Sequence, residues 1–229
     1  MNSVIMNNYL EDSMKKLSFL FIGLFSLLFF SCGGDIKISI FTRDLSDVMT
    51  SKEEVLYTNV NMIVEGLKDE DDIEFLRRNL NGFSNEHTIE YNYSTSLSFD
   101  IKVPIIKNGT SLDTSDDLII ITGKTQKGKT DYYLQYNEDL FSKINSYIYN
   151  AHYQNIELKK FKIKLEINND ERKPVKLTTY SSYVNGKSYP FAHLETLNER
   201  DRITFELSEI LGDYIATMDD EFYPIFSIE

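Results

Sequence analysis

A single cysteine, no tryptophan and only four prolines stand in this chain of 229 residues. One cysteine excludes an intramolecular disulfide, so the fold must rest on its core. It also excludes a multi-thiolate zinc site, and the isolated His87, His152 and His193 form no H-E-x-x-H pair to replace one. Positive charge is scarce, with 24 Lys and Arg against 36 Asp and Glu and a net charge of −12. That balance repels phosphate backbones and argues against nucleic acid as a partner. Long apolar runs are missing as well. The longest, over residues 17–30, has 14 positions, fewer than the roughly 20 that a spanning helix needs.

What is present supports a packed body. Hydrophobic residues make up 41% of the chain, and Phe and Tyr contribute 15 each. Removal of the first 31 residues leaves 198, enough to bury a core without disulfides or metals.

The short apolar run has a specific setting. Met14, Lys15 and Lys16 precede it, and Ser31, Cys32, Gly33 and Gly34 follow it. A basic start, a short apolar stretch and a small residue before the cleavage point make an export signal. The segment resembles a lipoprotein signal peptide with its lipobox, although Phe29 stands where that family usually has Leu. The resemblance covers residues 14–34. It implies a signal peptide over residues 1–31, with Met14 as the true start, and a lipidated N-terminus over 32–34. Cys32 would carry the lipid, and two or more acyl chains hold a protein on a bilayer far more firmly than one. Cell membrane or outer membrane, facing away from the cytoplasm, is the implied location. An uncleaved membrane helix is the competing reading.

Downstream, alternation of apolar and polar residues predicts strands over 35–41, 54–64, 88–106 (broken near Pro104), 118–122, 130–136, 157–168, 175–184, 187–193, 202–205 and 222–228. Helical spacing predicts about three helices, over 69–81, 138–150 and 207–218, with a further helical turn at 44–48. Asn185-Gly186 is the strongest hairpin signal in the chain. The expected architecture is a single α+β domain over 35–229, mainly antiparallel sheet; two lobes dividing near 107–116 are the alternative.

One string matches a phosphate-binding loop in full: Gly123-Lys124-Thr125-Gln126-Lys127-Gly128-Lys129-Thr130. That motif requires a helix directly after the Thr, with backbone N–H groups cradling phosphate. No later apolar run ends in the Asp expected to accompany it. A hairpin turn, with 130–136 as the second strand, accounts for the same residues, and an exported protein meets no maintained nucleotide pool. Acidic clusters at 69–72, at Asp113/Asp116/Asp117 and at 219–221 lack the twelve-residue calcium loop and read as solvated surface. No G-x-S-x-G elbow appears. Asn92 and Asn108 head glycosylation sequons that an exported bacterial protein has no reason to use.

These residues predict no catalytic, cofactor or metal site. Lipidation at Cys32 is the one site expected, with the membrane as partner through that lipid. A binding module follows as the expected function, its partner another protein or a surface polymer and not nucleic acid or nucleotide. Tyrosines crowded over 132–153 and 180–189 would supply the contact surface. The alternative is a carboxylate-dependent hydrolase acting on surface polysaccharide, which requires two convergent acids in a cleft.

Overall fold

The computed structural model describes residues 31–92, 94–217 and 223–229, with the side chains of Ser31 and Cys32 excepted. The signal-peptide expectation for 1–31 and the lipid on the Cys32 side chain therefore fall outside the described residues, as does the acidic cluster at 219–221. Residues 32–229 form one compact unit.

The first strand, β1 (Ser31–Phe41), buries Ile36, Ile38 and Ile40 while Lys37 and Ser39 face outward. β2 (Val55–Glu65) turns Val60, Met62 and Val64 inward, and β4 (Ser94–Lys107) does the same with Leu97, Phe99, Ile101, Val103 and Ile105. β3 (Ser84–Tyr91) lies along the first half of β4. A period of two with branched aliphatics on one face is the signature of a half-buried sheet. β5 (Ile119–Gln126), β6 (Lys129–Tyr136), β7 (Asn155–Asn168), β8 (Val175–Val184), β9 (Lys187–Leu197), β10 (Arg202–Leu207) and β11 (Phe226–Ile228) complete the set.

The sheet runs β10-β7-β1-β2-β4-β5-β6-β11-β8-β9, and β8 also pairs with β10. One edge of β8 carries β9. Its other edge is shared, with β11 opposite Leu177 to Thr179 and β10 opposite Ser182 to Val184. The hydrogen-bonded circuit therefore closes on itself, which removes most of the free sheet edge. Pairing is mostly antiparallel. β4 and β5 run parallel at Ile105 and Ile121. β1 and β7 also share a direction, since Gly33 lies beside Lys160 and Ser39 beside Asn168.

Four helices belong to the described body, one more than the sequence spacing predicts: α1 (Thr42–Met49), α2 (Glu70–Asn79), α3 (Glu138–His152) and α4 (Glu209–Thr217). The addition is α1, which begins directly after β1. It contains the helical turn expected at 44–48 and buries Leu45 and Val48. Asn137 caps α3 by accepting a hydrogen bond from the Leu140 N–H at 3.0 Å, and Leu140, Ile144 and Ile148 form its buried stripe. All four helices send side chains into the core that the strands enclose.

The first strand begins earlier than residue 35, where the alternation predicts it. Gly33 and Gly34 already belong to β1, and Gly34 pairs with Val64. A Cβ on Gly33 would meet the Lys160 carbonyl oxygen at 2.8 Å, and one on Gly34 would overlap the Ile63 carbonyl oxygen. These glycines let three backbones approach closely, and the sheet begins with no slack behind it.

Asn185-Gly186 joins β8 to β9 with φ of 49° and 77°. Positive φ at both central residues is the type I′ turn expected of that dipeptide. A Cβ on Gly186 would meet nothing within 4 Å, so only backbone strain opposes a substitution there. Gly186→Val should destabilise the body by roughly 1–2 kcal/mol, read by chemical denaturation. Unchanged stability would mean that the hairpin is not closed by this turn.

Asn169 holds the turn after β7 together. The side chain is 1% exposed; its Nδ2 donates to the carbonyls of Lys173, Leu197 and Asn198, and its Oδ1 accepts from Thr42 and the Glu171 N–H. One buried amide thus ties α1, the turn after β7 and the end of β9 together.

Candidate functional site

The outer face of β5, β6, β11 and β8 brings polar and aromatic side chains together across four strands. Cross-strand register builds it in rows. Lys124 stands opposite Asp131, Asp131 opposite Ser227, Ser227 opposite Thr178, and Thr178 opposite Leu194 on β9. In the next row Thr122 stands opposite Tyr133, and Tyr180 opposite Ala192. Adjacent strands lie about 4.8 Å apart, so the five-strand row is roughly 19 Å wide.

Within it runs a closed ring of hydrogen bonds. Lys129 Nζ donates to the Tyr180 hydroxyl oxygen at 2.6 Å, Tyr180 and Ser227 share a bond at 2.8 Å, and Ser227 Oγ donates to Asp131 Oδ1 at 2.5 Å. The ion pair between Lys129 and Asp131 at 3.2 Å completes it. The Tyr180 hydroxyl, and after it Asp131, holds Lys129 above the usual lysine range against the opposing effect of desolvation. Lys129 is therefore a fixed cation and no base. Ser227 is 1% exposed, so its hydroxyl is out of reach of a substrate. The arrangement is a charged scaffold and lacks the features of a nucleophile.

Beside the ring, Asn108, Thr122, Lys124, Tyr133 and Gln135 line a depression of about 230 Å³. Thr122 Oγ1 donates to Gln135 Oε1 at 2.8 Å, which orients the amide. Burial first, then Asp131, pushes the Tyr133 hydroxyl above the usual tyrosine range, so it stays protonated and can donate. Tyr223, edge-on to Tyr180 at 6.0 Å, and Tyr183 extend the aromatic surface.

The phosphate-loop string lies in this region and has the wrong shape. Residues 123–130 form the β5–β6 hairpin, with Lys127 and Gly128 at positive φ, and Thr130 leads into a strand where the motif needs a helix. The hairpin reading of 123–130 is the correct one. Lys129, set by the motif to neutralise phosphate, is committed to Tyr180 and Asp131.

A second cluster joins α2 to α3. Asp69, Asp72 and His152 place ligand atoms within 4.8 Å of one another. Asp72 is 1% exposed. Its Oδ2 accepts from the N–H groups of Lys68 and Asp69, and its Oδ1 meets the Tyr147 hydroxyl at 3.3 Å and His152 Nε2 at 2.7 Å. With both oxygens engaged, the carboxylate is already saturated by protein donors, and the geometry is that of a clasp between helices. His87 and His193 lie elsewhere, each with its own partner, Asn85 O and Glu195.

The carboxyls held above the usual range do not converge. Burial, then Asp170, raises Asp44 at the start of α1; burial raises Asp117, to which Asn81 Nδ2 donates at 2.8 Å. Neither lines the depression or the groove of about 600 Å³ between β7 and α4. Of the crowded tyrosines, Tyr132 and Tyr136 turn into the core, Tyr147 stacks on Phe75 at 3.8 Å, and Tyr133, Tyr180 and Tyr183 take the outer face. Ser227 and Asp131 carried no sequence signal, because their partners lie on other strands.

A closed, mostly antiparallel α+β sheet with a polar, tyrosine-bearing outer face is the class that fold and site define. The chain belongs to the family described as domain of unknown function DUF7424, whose model matches residues 34–229. No curated protein and no solved structure matches it.

Proposed function

We propose that the protein is a lipid-anchored, extracytoplasmic binding module whose ligand is a hydroxyl-bearing surface polymer. The observation that carries this reading is the outer face of β5, β6, β11 and β8, where tyrosine rings, an oriented amide and lysine ammonium groups share one exposed surface. Aromatic faces with polar edges supply contact area to pyranose-like rings, and amide, hydroxyl and ammonium groups bond their hydroxyls. The Lys129–Tyr180–Ser227–Asp131 ring holds this surface rigid, which lowers the entropy lost on binding.

The anchor half of the reading draws on the basic start, the apolar run and the sole cysteine. A lipid on Cys32 would leave no tether before the sheet, because Gly33 and Gly34 are already paired or packed within it. The body would then stand at the bilayer in a restricted orientation.

Two measurements test the halves separately. Radiolabelled palmitate should enter the wild-type chain and not Cys32→Ser, with the mature wild type beginning at Cys32; equal labelling removes the anchor. Purified wild-type chain should be retained on cell-surface polysaccharide, and Tyr133→Ala should lose at least about tenfold in affinity, as for one aromatic contact of about 1–2 kcal/mol. Absent retention, or equal retention of the variant, removes this face as the ligand site.

A further inference from the structure

Among the described residues, β9 pairs with β8 along one edge and with no strand along the other. Its side chains are unusually open for so apolar a strand, with Phe191 83% and Leu194 63% exposed. The direction of its backbone groups follows from its neighbour. Lys176 of β8 exchanges both backbone hydrogen bonds with Glu229, next to β11, so its polar groups point away from β9. In an antiparallel pair the residue opposite points away as well. Thr196, opposite Lys176, therefore directs its N–H and C=O outward, and by alternation so do Leu194 and Ala192. Pro190, two residues further back, has no N–H and ends the usable edge.

We infer that this edge pairs with the same edge of a second copy of the chain, antiparallel about a two-fold axis at Leu194. Register is decided by what each alternative leaves unmade. An axis at Leu194 sets Ala192 opposite Thr196 of the partner subunit, so three donors and three acceptors on each copy are all satisfied, giving six hydrogen bonds. It also sets His193 opposite the partner's Glu195, twice, on the face where these two residues already touch at 3.0 Å within one chain. An axis one residue later opposes Glu195 to itself. An axis one residue earlier places Pro190 opposite Thr196 and loses bonds. Two residues earlier, Pro190 meets Leu194 with the same loss.

Charge permits the approach. The β8–β9 hairpin, residues 175–197, carries Lys176, Lys187 and Glu195, so the acidity of the chain at −12 lies elsewhere. An isologous contact of this kind closes at two copies and leaves no further edge to grow. Pairing would also join the two outer faces into one continuous surface. The inference is independent of the anchor and of the ligand.

Sedimentation of the full chain in detergent, up to about 200 µM, is expected to show a reversible dimer. Leu194→Pro should weaken it at least tenfold while leaving the melting curve in place, because the N–H it removes makes no bond within the chain. A chain that stays monomeric, or a dimer indifferent to Leu194→Pro, overturns the inference. The register has its own test in the full chain carrying Cys32→Ser. There Leu194→Cys should form a disulfide between copies, since paired Cα atoms at such a position lie about 5.5 Å apart. Ala192→Cys, facing the partner's Thr196, should not. Equal cross-linking of both variants refutes the axis at Leu194.

Discussion

Gly34→Ala is expected to lower the melting temperature by about 6–12 °C, the loss of roughly 3 kcal/mol from a body of this size. The reason is steric. Gly34 pairs with Val64, and a methyl group there would overlap the Ile63 carbonyl oxygen and press within 2.9 Å of the Phe161 ring. The clashing atom is backbone of the adjoining strand β2, held in place by the eleven-residue register between β2 and β4, so it has nowhere to retreat. Gly33→Ala should cost less, since its Cβ would meet the Lys160 carbonyl oxygen at 2.8 Å, a milder overlap than the one at Gly34. A flexible tether gives the opposite result, because alanine replaces glycine in an unstructured segment without penalty. A Gly34→Ala melting curve superimposable on wild type would therefore show that β1 does not start beside the cysteine. The consequence reaches beyond stability: were Cys32 lipidated as proposed, a body whose first strand already includes that cysteine could not swing freely on the lipid.

The strands were legible in the sequence where one face is buried, because Ile36-Ile38-Ile40 and Phe161-Ile163-Leu165-Ile167 repeat every second residue. The β8–β9 turn was legible because Asn and Gly tolerate positive φ. What the sequence concealed depends on distant partners. Pro104 looks like a strand break, yet it lies inside β4 opposite Tyr57, and the chain breaks at Asn92 instead. Lys102 sends its N–H away from β2 to the Asn81 carbonyl, so Pro104, two residues on, turns its missing N–H to the same side. That side is a gap, where β3 has ended and β5 has not begun, and no ladder bond is lost.

Closure of the sheet was invisible for a similar reason. Three residues of β11 bridge β6 to β8, across 96 positions in the case of Ser227 and Asp131, and no local pattern announces such a bridge. The candidate face inherits that obscurity. Its tyrosines are conspicuous in the sequence, but which of them turn outward is settled by strand parity. Lys129 attracted attention as part of a nucleotide motif and proves to be a member of a different constellation.

Asp72→Ala should be the most damaging single change away from the glycines, costing about 3–5 kcal/mol. The sequence marks Asp72 only as one of several acids in a helix's first turn, where it stabilises the positive end of the dipole. Its burial makes the difference. Removal of the carboxylate strands the N–H groups of Lys68 and Asp69, the Tyr147 hydroxyl and His152 Nε2 at once, in a place that water does not reach freely. It also loosens α2 from α3, whose contact includes the stacked Phe75 and Tyr147 rings. Asp72→Asn should cost nearly as much, because its amide nitrogen would have to face either two backbone donors or the histidine. A double-mutant cycle with His152→Ala separates this clasp from simple loss of packing; a coupling of about 1–3 kcal/mol is expected. If the cluster instead held a metal through Asp69, Asp72 and His152, the wild type would melt lower in chelator and His152→Ala would abolish that difference. Identical melting with and without chelator, together with strong coupling, is the expected result, and a loss below about 1 kcal/mol in Asp72→Ala would show that the helices are held by their apolar faces alone.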